Sequence, residues 1–138
     1  IELIIADENA KVRSAIHFLL DQDQACWKIV CEVRNLEELI ISLDQNNPQL
    51  LLLDWDLPGE YRGFGGNNRE EVIERIFDLR NRRPEMRIIV LSSKPQVRRA
   101  ALLSGADAFV SKCDPPEALI RALYQVCFQK NRYLFSSQ

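Results

Sequence analysis

Five short apolar runs constrain this chain more than anything else in it: residues 1–6 (IELIIA), 28–33 (KIVCEV), 49–54 (QLLLLD), 87–92 (RIIVLS) and 107–111 (DAFVS). Each has strand length, and none alternates cleanly between apolar and polar residues. Near-continuous apolar character belongs to strands covered on both faces, as in a parallel sheet. Parallel neighbours need crossover connections, and the segments between the runs are helical in period.

Val12, Ala15, Ile16, Leu19 and Leu20 fall at i, i+3, i+4, i+7 and i+8, one face of a helix. Leu36, Leu39, Ile40 and Leu43 repeat the pattern, as do Val72, Ile73, Ile76 and Phe77, and then Leu119, Ala122, Leu123 and Val126. Asn35 with Glu38, Asn68 with Glu71, and Asp114 with Glu117 each set a cap residue three before a glutamate. Pro115 is expected at a first helical position, and Gly105 should stop the helix that begins near Gln96. Five βα repeats with right-handed crossovers predict an α/β fold: a five-stranded, doubly wound parallel sheet, flavodoxin-like, in the order 2-1-3-4-5.

The 138 residues suit one domain, 46% hydrophobic and 28% charged, with a net charge of −2 that argues against a basic nucleic-acid surface. No apolar stretch approaches the ~20 residues of a membrane span. Cys26, Cys31, Cys113 and Cys127 form no C-x-x-C pair, and His17 is the only histidine, which speaks against zinc. Scattered among apolar neighbours, they read as core cysteines of a reducing cytoplasm. The chain opens on Ile1 inside a strand and is read as a trimmed fragment. The domain should span 1–130, with 131–138 as a tail or the start of a linker.

In that strand order the carboxyl ends share one edge. The first strand delivers Asp7 and Glu8, the third Asp54, the fourth Ser92 and the fifth Lys112. Carboxylates gathered there raise one another's proton affinity unless a cation intervenes. Mg²⁺ suits such a site, because it keeps several waters and asks for one or two carboxylates plus phosphate. One carboxylate could then act as a nucleophile toward phosphorus, with Mg²⁺, Lys112 and Ser92 holding the charge of the phosphoryl oxygens.

The acid pair in IIADENA, the acceptor in LLLLDWDLPG, the hydroxyl in IIVLSSK and the lysine in GADAFVSK together resemble the receiver domain of two-component response regulators, across essentially the whole chain. The resemblance implies that Asp54 takes a phosphoryl group from a phosphohistidine on a sensor histidine kinase or phosphotransfer protein. Asp7, Glu8, Asp54 and the backbone carbonyl of Asp56 would surround Mg²⁺. Ser92 would turn toward the new phosphoryl group and Phe109 would move into the space it leaves. That motion would reshape the face made by the fourth helix, fifth strand and fifth helix. The resemblance further implies a cytoplasmic, bacterial-type regulator with slow self-dephosphorylation. A homodimer or an output domain would supply the readout, with DNA contacted only through an output domain outside these residues. Three positions depart from the common pattern: Glu8 replaces an aspartate, Phe109 lacks a hydroxyl, and Cys113 stands where many receivers carry proline.

Asp56 and Lys94 lie two residues beyond the acceptor and two beyond the hydroxyl, and are expected to face each other and tune phosphate lifetime. The connection 59–68 holds four of the five glycines and exceeds the ~2–6 residues of a usual βα loop, as a lid or as a slack insertion. Arg80, Arg82, Arg83 and Arg87 read as a solvated cluster at the opposite end. Of three rivals the first stands nearest, and the residue order speaks against the other two. An unphosphorylated pseudo-receiver is suggested by Glu8 and Cys113. A haloacid-dehalogenase-type phosphatase shares Asp-x-Asp after an apolar strand but carries its acidic pair last. An FMN binder would need a Ser/Thr/Gly-rich loop where DENAK stands.

Overall fold

The computed structural model describes residues 1–25, 27–60 and 69–128. The strands are β1 (Glu2–Ala6), β2 (Lys28–Val33), β3 (Leu50–Asp54), β4 (Arg87–Ser92) and β5 (Ala108–Ser111). The helices are α1 (Ala10–Gln22), α2 (Leu36–Gln45), α3 (Arg69–Arg82), α4 (Arg98–Leu103) and α5 (Pro116–Phe128), with a 3-10 turn at Pro95–Val97. All strand pairs are parallel, in the order β2-β1-β3-β4-β5. The predicted fold class is the observed one.

Strand alternation divides the core into two layers. Leu3, Ile5, Leu50, Leu52, Ile89, Leu91 and Val110 face α1 and α5, where Ile16, Leu20, Leu119 and Leu123 meet them. Ile4, Ala6, Leu51, Leu53, Ile88, Val90 and Phe109 face Leu36, Leu39, Leu43, Ile76 and Leu79. Every side chain of β3 is buried, as the uninterrupted leucines require of a central strand. Burying four leucines favours the fold by about 6–12 kcal/mol before chain entropy is counted.

Local signals explain the helix ends. Asn35 Oδ1 accepts the Glu38 N–H at 2.9 Å, while Glu38 reaches back to the Arg34 N–H rather than to Asn35. The helix after β5 begins at Pro116, one residue later than expected, because a residue before proline is steered away from helical angles and Pro115 is excluded. Gly105, at φ +119°, turns the chain out of α4 as its sequence position predicts. The caps at Asn68 and the connection 61–68 lie outside the described residues, as do Cys26 and the tail 131–138.

Three further expectations change. Phe77 points to solvent, and the buried stripe of α3 runs through Val72, Arg75, Ile76 and Leu79, a better match to the helical period. Cys113 is exposed and Cys31 and Cys127 are half-buried, so these three are not the fully buried core residues expected. Arg80 and Arg83 are not merely solvated. Arg80 donates to the carbonyls of Gly105 and Met86 and pairs with Asp107, while Arg83 donates to the Leu43 carbonyl. These carbonyls sit at element ends with no partner in their own helix or strand, and long guanidinium arms satisfy them.

At the α1–β2 corner Asp23 accepts the Trp27 indole N–H at 2.8 Å and the Tyr124 hydroxyl at 2.7 Å. Trp27 packs edge-on to Tyr124 and tilted against Phe128, so this corner ties α5 to the sheet. The Trp27 bond first, and the Tyr124 bond second, hold the Asp23 carboxyl below its ordinary range. A folded pKa below the unfolded value contributes stability above the unfolded pKa, and that stability fades as pH falls through the folded one. Asp23→Asn should therefore unfold at lower urea concentration than the parent at pH 7. The gap should narrow as pH falls below the unfolded carboxylate value near 4; equal midpoints at pH 7 would contradict the linkage.

Candidate functional site

The parallel register sets the polar residues on one edge. Ala6 pairs with Leu53, Asp54 with Leu91 and Ser92 with Ser111, so Asp7, Asp54, Ser92 and Lys112 leave the sheet side by side. Backbone bonds continue the ladder one step past the strands: Asp7 N–H to Val33, Trp55 N–H to Leu91 and Lys112 N–H to Ser92.

Lys112 Nζ lies 2.8 Å from Asp7 Oδ2 and 3.1 Å from Asp54 Oδ1. Both carboxylates are buried, Asp7 to 2% exposure and Asp54 to 8%. Burial raises the proton affinity of Asp54, the Asp7 charge raises it further, and Lys112 only partly offsets the two. For Lys112 burial pulls the ammonium pKa down, but the bonds and charges of Asp7 and Asp54 prevail and hold it above its ordinary value. One ammonium thus holds two acids without cancelling them.

The loop after β1 is pinned from α1. Asp7 Oδ1 accepts the Asn9 N–H at 2.8 Å, and Arg13 Nη1 donates to the Asp7 and Glu8 carbonyls at 2.7 and 3.1 Å. Glu8 itself is exposed and does not join the acid pair. Arg13 escaped the sequence reading, and its spacing six after Asp7 gave no signal, because only the turn into α1 folds it back.

Past β3 the chain turns at once. Leu57 N–H donates to the Asp54 carbonyl at 3.2 Å, and Asp56 N–H approaches Asp54 Oδ1 at 3.4 Å. Trp55 is buried beside the strand end. The Asp56 carboxylate faces outward, 3.4 Å from Lys94 Nζ, with both side chains about half exposed. Ser92 is fully buried and its Oγ accepts the Lys94 N–H at 3.0 Å. Phe109 is buried in β5 at 7% exposure, with the Arg98 guanidinium 6.0 Å from its ring centre.

The donor set is all oxygen. Among the described residues no three Asp, Glu, His or Cys side chains converge as a ready metal cluster. Two buried carboxylates with residual negative charge nevertheless match what a hard divalent ion such as Mg²⁺ asks of a protein. The residues fit such an ion.

The model of the response regulator receiver domain matches residues 3–124. The chain belongs to that family. This receiver is 28% identical over 128 residues to the glycerol metabolism activator of Pseudomonas putida, covering 91% of the chain and 53% of that protein. It is 28% identical over 125 residues to the nitrate/nitrite response regulator NarL of Escherichia coli K12, covering 89% of the chain and 53% of NarL. The chain thus spans about half the length of these relatives. Among solved structures, the isolated receiver domain of RcsB from Salmonella enterica serovar Typhimurium, in the presence of the phosphomimetic BeF3−, is similar at a TM-score of 0.76 and 27% identity. That match covers 88% of this chain and 84% of that one. RcsB bound to the rprA promoter is similar at 0.79 and 25%, covering 99% and 76%. The receiver is a signalling domain of two-component systems with bacterial transcription regulators among its relatives, and among its described residues no helix is long and apolar enough to cross a membrane.

Removing Lys112 leaves two buried acids facing each other. Lys112→Met should lower stability by about 2–4 kcal/mol at pH 7 in urea unfolding, and adding Asp7→Asn should recover most of it. Additive losses in the double variant would show that the ammonium does not act through this pair.

Proposed function

We propose that this receiver accepts a phosphoryl group on Asp54 from the phosphohistidine of a sensor histidine kinase or phosphotransfer protein, in a Mg²⁺-dependent reaction. The observation that carries the reading is the Lys112 ammonium shared between Asp7 and Asp54 at the carboxyl edge of the sheet. Both hydrogen bonds at the acceptor go to Oδ1, which leaves Oδ2 as the attacking oxygen. It bonds to phosphorus as the phosphorus–nitrogen bond breaks, and the departing imidazole takes up a proton. The product is an acyl phosphate. Asp7, Asp54 and the Asp56 carbonyl would hold Mg²⁺, with Glu8 beside Asp7 as a further oxygen donor. The ion would supply charge for the transferred oxygens.

Lys112 then pairs with a phosphoryl oxygen in place of Asp54 Oδ1. Ser92 turns its hydroxyl toward the phosphoryl group and Phe109 follows into the vacated space, without a hydroxyl to guide it. The face of α4, β5 and α5 changes accordingly, to the extent that the phosphoryl group binds the new arrangement better. A homodimer or an output domain elsewhere in the protein reads that face, in the cytoplasm. RcsB, solved with a phosphomimetic and on a promoter, supports an output that binds DNA through such a domain. A pseudo-receiver that never takes up phosphate is the rival, favoured by the exposed Glu8 standing apart from the acid pair.

Asp56 and Lys94 flank the approach to the acceptor and set how fast water removes the group. Their exposed pair adds at most about 1 kcal/mol of stability, so its effect is kinetic.

Acetyl phosphate with Mg²⁺ should add the mass of one phosphoryl group to the parent and none to Asp54→Asn; no gain in the parent decides for the pseudo-receiver. In the phosphorylated protein, Asp56→Ala and Lys94→Ala should each change the dephosphorylation rate by more than about twofold, a tenfold change being ~1.4 kcal/mol of barrier. Rates within twofold discard that role.

A further inference from the structure

In the buried stripe of α3 one position is out of character. Val72, Ile76 and Leu79 are apolar, and between them Arg75 is only 3% exposed. An aliphatic residue would fill the space without the desolvation that a guanidinium suffers, so the charge at this place calls for a use. Its Nη1 donates to the Leu57 carbonyl at 2.6 Å, a short, charge-assisted bond across eighteen residues of sequence.

That carbonyl belongs to the turn leaving the acceptor strand. Three successive peptide groups of the turn are held from three directions. Leu57 N–H is bound to the Asp54 carbonyl, the Leu57 carbonyl to Arg75, and the Pro58 carbonyl to the Leu36 N–H at 2.8 Å. The Asp56 carbonyl lies in the first of these groups. The bond that fixes it from within the turn is the longest of the three, at 3.2 Å, and the bond from Arg75 is the shortest.

We propose that Arg75 is a positioning residue for the acceptor site: by clamping the Leu57 carbonyl it aims the neighbouring Asp56 carbonyl, and so sets the affinity for Mg²⁺. The inference rests on the reading that this edge binds Mg²⁺. Arg75 is not bonded to Asp7, Asp54 or Lys112, and its described bond toward the site is the one to the turn. Leu57 precedes proline and is confined to extended angles, and its side chain is buried in the core, so the Arg75 bond holds a peptide group whose freedom is already narrow.

Three proteins test it: the parent, Arg75→Met, which keeps most of the volume and removes every donor, and Arg75→Lys, which keeps a charged donor group. Mg²⁺ is titrated into each unphosphorylated protein by calorimetry and by Trp55 emission in a Trp27→Phe background, with urea unfolding alongside. Arg75→Met should bind Mg²⁺ at least about tenfold more weakly, the scale on which residues supporting a metal ligand act. Arg75→Lys should fall between it and the parent. Amide exchange should rise at residues 55–57 and stay unchanged in α5. Equal Mg²⁺ affinity in a folded Arg75→Met, whatever its stability, overturns the role. Should Arg75→Met not fold, Arg75→Lys decides alone: a loss of about threefold supports the role, and parental affinity overturns it. A parent that itself binds no Mg²⁺ overturns the metal reading and this inference together, which separates the two failures.

Discussion

A single ammonium from the end of β5 holds two carboxylates from the ends of β1 and β3, and the carboxyl edge of the sheet is organised around that contact. Asp7 follows β1 and Asp54 ends the fully buried β3, where two like charges could not remain together unaided. Lys112 makes their burial tolerable and leaves them incompletely neutralised, as the raised proton affinity of Asp54 records. The same imbalance that would threaten stability in an inert domain is the residual negative charge that the proposed Mg²⁺ would meet at this edge.

The surroundings of that contact differ in stiffness. Arg13 pins the acid turn, backbone bonds extend the ladder past the strands, and Arg75 holds the turn after Asp54. At the far end Arg80, Arg83 and the Asp23 corner lock helix ends onto the sheet. The rim is looser. Asp56 and Lys94 meet through half-exposed side chains, and Glu8 stands free of the pair beside it. Groups that must hold a fixed geometry are thus held by short bonds in low dielectric, and groups that would meet water or an incoming donor are left in solvent.

The guanidinium groups show where a sequence reading loses sight of the chain. Four arginines near the α3–β4 turn look like ordinary surface charge, yet two of them close backbone carbonyls that no helix or strand satisfies. Arg75 interrupts an apolar stripe, and the period of Val72, Ile76 and Leu79 could have marked it, but Phe77 offers a competing face at similar spacing. Long, flexible side chains choose partners far away in sequence, and nothing local in composition reports that choice.

What the amino-acid order determined by itself was the alternation of doubly buried strands with amphipathic helices, and hence the parallel sheet, its order and the edge that gathers Asp7, Asp54, Ser92 and Lys112. The parallel sheet follows from period, strand length and crossover handedness, all local or nearly so, and its order is the common one for five such repeats. Only the tertiary structure decided that Lys112 grips both acids while Glu8 stays outside, that α3 turns Arg75 inward and Phe77 outward, and that Arg13 folds back on the acid turn. Each depends on distances across elements remote in sequence, where burial and charge are balanced by the whole fold at once.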